Sequence, residues 1–145
     1  MIQVDITESV LDPLAALAHC AGDAHGAADL FIGRVRNTND GRSVTAVSYD
    51  LHPQLCRSIF GEICAEALEQ WGKDLNVYLV HRQGRLEVGE ASVITAVSSG
   101  HRDDSFKACR YLIEQMKVRA PIWKQEHYTD GDSEWIKGHA LRSSD

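Results

Sequence analysis

The stretch that decides the fold is Val77–Val97, VYLVHRQGRLEVGEASVITAV, in which two apolar runs flank a link punctuated by glycines. The runs Val77–His81 and Ala91–Val97 are rich in β-branched and aromatic residues, which favour strands. Gly84 and Gly89 bound the short segment between them and are typical of turns. We expect the two runs to lie at the centre of a sheet.

Further strands are predicted on both sides of this centre. Ile2–Ile6 alternates apolar and polar residues, as a half-buried strand does. Ala27–Val35 and Val44–Leu51 flank the turn-forming run Asn37–Gly41, and this arrangement predicts a β-hairpin with a flexible loop. Ile122–Tyr128 is predicted as a last strand.

Three segments have the apolar spacing and the end signals of helices. Ser9 or Asp12 can cap the first, Gly72 is placed to end the second, and Pro121 stops the third. The segments run from Pro13 to before Gly22, from Pro53 to Trp71, and from Arg102 or Asp103 to Arg119.

Length and element order predict one domain of the α+β class. The chain has 145 residues, of which 43% are hydrophobic, enough for one core and too few for two ordinary domains. The order β-α-β-β-α-β-β-α-β predicts a largely antiparallel sheet. We therefore expect residues 1–145 to form a single domain.

Overall charge argues against several classes of partner. The formal net charge is −6, which disfavours generic attraction to nucleic acid or to anionic membranes. No apolar run approaches the roughly 20 residues of a membrane span, and MIQVDITESV lacks the features of a signal peptide. These features favour a cytoplasmic protein without a membrane partner.

The cysteines and histidines indicate no metal site and no cofactor. The four cysteines lack C-x-x-C spacing, and the seven histidines form no pair with zinc-ligand spacing. We expect the cysteines to be free, buried thiols. No glycine-rich nucleotide motif and no G-x-S-x-G serine-hydrolase motif is present.

Positive charge is concentrated in a few short segments. Residues 1–33 contain no lysine or arginine, whereas Gly33–Asn37 and Gln115–Gln125 carry bases and no acid. His101-Arg102 lies between these segments in the sequence. If the fold gathers all three around one hollow, they form an anion pocket in an acidic protein. The alternative is that they are solvated surface bases.

Lys117 is the most unusual position of the predicted third helix. Phe106, Cys109, Ile113 and Lys117 lie three or four residues apart, so an amine ends an otherwise apolar row. The spacing does not decide between a functional amine and a lysine that extends past the core to water. Lys124 strengthens the functional interpretation, because both amines could flank one cleft and act as acid, base or nucleophile.

Arginines supply the second half of the predicted anion site. Arg36 and Arg102 can each bind a phosphate or carboxylate through two hydrogen bonds, and His101 adjoins a helix start that also favours anions. Alternatively, Arg102 pairs with a neighbouring aspartate on the surface. His81 ends a strand and is interpreted as a structural group outside the catalytic set.

At these residues the sequence resembles the large, catalytic subunit family of molybdopterin synthase. The resemblance covers most of the chain, from Gly26 to about Trp135, and rests on the order of several short motifs. The motifs are FIGRVRN (31–37), HRQG (81–84), VGE (88–90), SSGHR (98–102) and KVRAPIWKQE (117–126).

The resemblance implies a sulfurtransferase of molybdenum cofactor biosynthesis with an α/β hammerhead type of fold. Such enzymes convert cyclic pyranopterin monophosphate to molybdopterin. They take sulfur from the C-terminal glycine thiocarboxylate of a small ubiquitin-like subunit. The implied assembly is a heterotetramer, in which a central dimer of large subunits carries one small subunit at each end.

The resemblance also implies which residues form the site. Lys117 and Lys124 would carry the chemistry, and Arg36, His101 and Arg102 would bind the substrate phosphate. The full implied substrate-binding set is Arg34, Val35, Arg36, His101, Arg102, Lys117, Lys124, Gln125 and Glu126.

Two other functions remain open at this point. The chain could be a non-catalytic module that binds the tail of a ubiquitin-like protein. It could also be a hydrolase or transferase that acts on another phosphorylated heterocycle.

Overall fold

The computed structural model of the chain describes residues 1–137, which form three helices and ten strands. The predicted domain extends to residue 145, and residues 138–145 lie outside the described part. The helices are α1 (Pro13–His19), α2 (Pro53–Trp71) and α3 (Arg102–Arg119). The strands are β1 (Ile2–Thr7), β2 (Ala27–Arg34), β3 (Thr38–Asn39), β4 (Arg42–Leu51), β5 (Asn76–Arg82), β6 (Gly84–Glu87), β7 (Ala91–Ser99), β8 (Ile122–Tyr128), β9 (Gly131–Asp132) and β10 (Ile136–Lys137).

The first sheet has the strand order β1-β5-β7-β2, so the two apolar runs lie at its centre as predicted. β5 and β7 pair antiparallel, with Val77 opposite Val97 and Val80 opposite Ile94. β1 joins β5 in parallel, and β2 joins β7 antiparallel. The described structure confirms the α+β class and the largely antiparallel pairing.

Helices cover both faces of this sheet, which explains why its central strands are apolar throughout. On one face, Phe60 of α2 and Leu112 of α3 pack against Val77 and other side chains of β5 and β7. On the other face, Ala16 of α1 belongs to a smaller cluster with Ile94. The larger cluster is the main core and fixes the position of α3.

The second sheet is built around β4. β8 pairs along one edge of β4, while β3 and β6 pair with successive parts of the strand. β9 and β10 pair with β8. The register places Tyr49 of β4 opposite Lys124 of β8, which brings Lys124 beside residues from the middle of the chain.

The predicted hairpin between Ala27–Val35 and Val44–Leu51 is wrong in its pairing. β2 pairs with β7 in the first sheet, and only the short β3 forms a hairpin with β4. The turn between them has positive φ at Asp40 (50°) and Gly41 (74°), as a tight two-residue hairpin turn requires. β7 is buried on both faces and provides β2 with a long apolar partner, so the chain crosses between sheets after β2.

The helix ends follow the predicted signals. Asp12, not Ser9, caps α1 by accepting a hydrogen bond from the Leu14 amide at 3.0 Å. Gly72 ends α2 with φ of 140°. The predicted core-facing row of α3 is wrong for Phe106, whose surface is 60% exposed. The buried face of α3 is centred on residues such as Leu112 and Met116, which leaves Phe106 at its edge.

Within residues 1–137, no helix has both the length and the apolar character that a bilayer crossing requires. The four cysteines are buried and free, as expected from their spacing. Burial raises the pKa of Cys64 to about 12 and that of Cys20 to about 11. These thiols are therefore protonated at neutral pH and serve as small apolar core groups.

Truncation of Leu112 tests whether the α3 interface is the main core. Leu112→Ala should lower the free energy of unfolding by about 2–5 kcal/mol, because a fully buried side chain leaves a cavity. Leu14→Ala is the matched control, since Leu14 is 71% exposed, and should change it by less than about 0.5 kcal/mol. Urea denaturation measures both values, and equal effects would contradict this assignment of the core.

Candidate functional site

A cavity of about 720 Å³ opens where the two sheets meet the C-terminal end of α3. Its walls come from β2 and the residues that follow it through β3 to Asp40, from β4 and β8 of the second sheet, and from β5, β7 and the last turn of α3. Residues that are far apart in the sequence therefore share one hollow.

Four cationic side chains line this cavity: Arg34, Arg36, Lys117 and Lys124. The expectation that the positive segments near residues 35 and 120 converge is therefore confirmed. A protein with net charge −6 thus concentrates positive charge at one concave surface. Such a surface attracts a small anion and focuses its approach.

The two arginines reach the cavity because Val35 anchors the segment between them. The Val35 amide donates to the Glu90 carbonyl at 3.0 Å, and its carbonyl accepts from the Gly89 amide at 2.8 Å. The Val35 side chain is buried in a separate core cluster. In an extended segment the neighbours of a buried residue point the opposite way, so Arg34 and Arg36 are exposed together.

The two lysines meet because the chain reverses at Pro121. Ala120 leaves the helix in an extended conformation, and the Ile122 amide donates to the Ala120 carbonyl at 2.9 Å. The return strand β8 then pairs with β4, which places Lys124 in the wall of the same cavity as Lys117 of α3. Helix α3 before the turn and strand β8 after it thus fix the positions of the two lysines.

Only one of the four cations has a counter-charge among the described residues. The Lys124 ammonium lies 3.2 Å from Oε1 of Glu126, whose side chain is buried. Arg34, Arg36 and Lys117 form no ion pair within residues 1–137. Asp40 also lines the cavity, so four cations face the two carboxylates of Asp40 and Glu126, and a bound anion would reduce the remaining excess of positive charge.

Gln125 and Glu126 occupy different environments, because neighbouring residues of a strand point to opposite faces. Glu126 shares the face of Lys124 and holds its ammonium. Gln125 lies on the other face, where its side-chain amide donates to the Ser133 carbonyl at 3.2 Å.

The expectation that His101 and Arg102 join the same hollow is wrong within one chain. Both residues are exposed at the start of α3, whereas Lys117 lies in its last turn. Fifteen residues of helix separate Arg102 from Lys117, which corresponds to about 22 Å. Arg102 also forms no ion pair with the described residues, so the surface pairing with an aspartate is not formed either.

His81, which the sequence predicts to be a structural group, also lines the cavity. It is 3% exposed, and its ring contacts that of Tyr49 edge-on at a centroid distance of 5.0 Å. Burial, together with the nearby Lys117 ammonium, lowers the pKa of His81 to about 4. The imidazole is therefore neutral at physiological pH.

Cys109 is not a nucleophile candidate. It lies on the buried face of α3, and its thiol lies 3.3 Å from the Thr95 hydroxyl. Burial raises its pKa, which disfavours the reactive thiolate. Within residues 1–137, no group of three or more histidine, cysteine or acidic side chains is arranged to hold a metal ion.

Comparison with known proteins identifies the family to which this fold and cavity belong. A family model described as MoaE protein matches residues 6–119. A molybdopterin synthase catalytic subunit from Synechococcus elongatus is 44% identical over 139 residues, covering 96% of this chain and 84% of the relative. Another from Emericella nidulans is 37% identical over 134 residues, covering 92% of this chain and 68% of the relative.

Solved structures agree with the sequence relatives. Molybdopterin synthase from Staphylococcus aureus superposes with a TM-score of 0.86 at 30% identity, covering 91% of this chain and 95% of that one. Molybdopterin biosynthesis MoaE protein from Burkholderia ambifaria gives 0.82 at 29% identity, covering 99% and 98%. The fold thus defines an α+β protein of the molybdopterin synthase class, with a cavity lined by four cationic side chains. The chain belongs to the MoaE protein family.

Acid should destabilise the protein through His81. Its folded pKa of about 4 lies below the ordinary value of 6.5, so between these pH values the unfolded chain binds a proton that the folded chain excludes. Stability is therefore lost as pH falls through this window, by up to about 3 kcal/mol. His81→Gln should lose about 2 kcal/mol less than the wild type between about pH 7 and about pH 4.5.

Urea denaturation at the two pH values measures this difference. His101→Gln is the matched control, because His101 is exposed and its side chain caps nothing, and it should follow the wild type. Equal acid sensitivity of His81→Gln and the wild type would show that His81 is not the group responsible.

Proposed function

We propose that the protein is the catalytic subunit of a molybdopterin synthase. In this role it converts cyclic pyranopterin monophosphate to molybdopterin with sulfur from a protein thiocarboxylate. The observation that carries the proposal is the gathering of four cations from separate segments around one cavity. Membership of the MoaE family supplies the reaction class.

The substrate phosphate binds at the arginine side of the cavity. Arg34 and Arg36 have no counter-charge among the described residues, and a guanidinium binds phosphate oxygens through two parallel hydrogen bonds. Val35 contributes through its buried side chain, which keeps both arginines turned toward the cavity.

The two lysines have different roles in the proposed reaction. Lys124 is held by Glu126 and provides a fixed positive charge. Lys117 has no such partner among the described residues and is our choice for proton transfer. Attack by a thiocarboxylate and opening of a cyclic phosphate both move negative charge, which cations positioned beforehand stabilise. Gln125 fixes the strand through its bond to Ser133 on the far face.

The sulfur donor is a small ubiquitin-like subunit whose C-terminal glycine carries the thiocarboxylate. Its tail ends in an anion, and the cavity that receives it is cationic. A structure from Helicobacter pylori, described as a complex of subunits 1 and 2 of molybdopterin-converting factor, shares the fold at a TM-score of 0.73 and 22% identity. The four free thiols support a reducing compartment such as the cytoplasm.

His101 and Arg102 bind substrate held by a second copy of the chain. The length of α3 keeps them about 22 Å from Lys117 of their own chain. A dimer of large subunits removes this obstacle, since the start of α3 in one copy can border the cavity of the other. With one small subunit on each copy, the assembly is a heterotetramer.

Lys117→Ala should lower sulfur transfer at least 100-fold while leaving the fold intact, because the proton-transfer group is removed. Lys107→Ala is the matched control: Lys107 lies on the same helix, pairs with Asp103 on the surface and should leave activity unchanged. The assay combines the thiocarboxylated small subunit with cyclic pyranopterin monophosphate, and mass analysis counts the sulfur atoms added.

Each other result of this assay has a defined meaning. Two added sulfur atoms with the wild type support the synthase. Binding of the small subunit without turnover would instead support a non-catalytic module, and phosphate release without sulfur would support another reaction on a phosphorylated heterocycle. Full activity of Lys117→Ala would rule out the role assigned to that lysine.

Mixing two inactive variants tests the site shared between copies. A mixed dimer contains one Lys117→Ala chain and one Arg102→Ala chain. If Arg102 acts across the dimer, both substitutions affect the same cavity, and the other cavity has an intact Lys117 and an intact Arg102. The mixture should therefore regain up to about half of the wild-type activity per mixed dimer. If Arg102 acts within its own chain, each cavity keeps one defect and the mixture stays inactive.

A further inference from the structure

The ring of His81 has a protonation pattern fixed by its surroundings. Its Nδ1 lies 2.7 Å from the carbonyl oxygen of Arg82. A carbonyl oxygen only accepts hydrogen bonds, so Nδ1 carries the hydrogen and donates it. In the neutral ring, Nε2 is therefore an acceptor with a free lone pair.

The Nε2 atom is accessible from the cavity. None of residues 1–137 donates a hydrogen bond to it. Every fully buried side-chain nitrogen or oxygen among those residues has a hydrogen-bond partner, so an Nε2 atom without one is not fully buried. His81 is one of the residues that line the cavity, which places this unused acceptor within reach of a ligand bound there. The edge-on contact with Tyr49 restricts rotation of the ring.

His81 makes one part of the cavity chemically different from the rest. Arg34, Arg36 and Lys117 attract phosphate or thiocarboxylate. A neutral imidazole that presents only a lone pair repels the oxygen atoms of such anions and accepts an N–H or O–H group instead. The lowered pKa keeps the ring in this neutral form.

We infer that His81 is a substrate-binding residue whose Nε2 accepts a hydrogen bond from an N–H group of the pterin ring, while the cations hold the phosphate. This inference rests on the proposed function, because the pterin substrate supplies both groups. It deepens that function by assigning the heterocyclic end of the substrate to the β5 wall. Phosphorylated ligands without a donor at this point leave the acceptor unpaired and bind more weakly.

Two conservative variants separate the two nitrogens of the ring. The Asn side chain in His81→Asn can still donate to the Arg82 carbonyl in place of Nδ1, but it places no acceptor at the position of Nε2. The longer amide in His81→Gln can present an oxygen acceptor near that position. Both variants are measured as full chains, with cyclic pyranopterin monophosphate and with inorganic phosphate as separate probes.

His81→Asn should weaken binding of the pterin substrate about 10-fold, the effect of one lost hydrogen bond, and leave phosphate binding unchanged. His81→Gln should recover most of the affinity. Equal weakening for both probes would overturn the inference, since it would indicate general damage to the cavity. A lower kcat with unchanged substrate affinity would also overturn it, because His81 would then act by positioning Lys117.

The wild-type protein provides a test that does not depend on how the variants fold. In ¹⁵N-labelled protein, the pterin substrate should move the Nε2 resonance of His81, and inorganic phosphate should not. An unmoved resonance in protein that binds and converts the substrate would overturn the inference alone. Failure of the wild type to bind the pterin would overturn both the proposed function and this inference.

Discussion

Mutual repulsion among the cavity cations is the constraint on which the site depends. Like charges that share one cavity disfavour one another, and among residues 1–137 only Lys124 of these four cations forms an ion pair. The amines stay together because the elements that carry them are held elsewhere. α3 is fixed by the main core, and β8 is fixed by its pairing with β4. Stability of the core thus offsets the cost of an unpaired cationic site.

The sequence predicts the elements well because their signals are local. Apolar periodicity, caps and proline positions locate the helices and the main strands close to their observed bounds. Strand pairing is not local, and this is where the prediction failed. Ala27–Val35 and Val44–Leu51 look like a hairpin, yet the open edge of β7 binds the first of them. Only the competition between possible partners in three dimensions decides this outcome.

The cationic part of the site could be predicted from the sequence, because the distribution of charge along the chain identifies it. The charge map finds Arg34, Arg36, Lys117 and Lys124 because acids are absent from their segments. It fails for His101-Arg102, since a charge map contains no distances and a straight helix separates them from Lys117. His81 carries no charge signal, but its alternation with Val77 and Leu79 places it on the β5 face that packs against α2 and α3.

A cationic cavity within an acidic chain selects ligands by size as well as by charge. The acidic surface repels extended polyanions such as nucleic acid, whereas a small anion that enters the cavity meets unpaired cations. Charge alone would admit any small phosphate or carboxylate. A neutral acceptor in the wall favours ligands that carry a hydrogen-bond donor at that point, and pairing of buried polar groups is an effective basis for specificity. The combination suits a substrate with an anionic end and a hydrogen-bond-donating heterocycle.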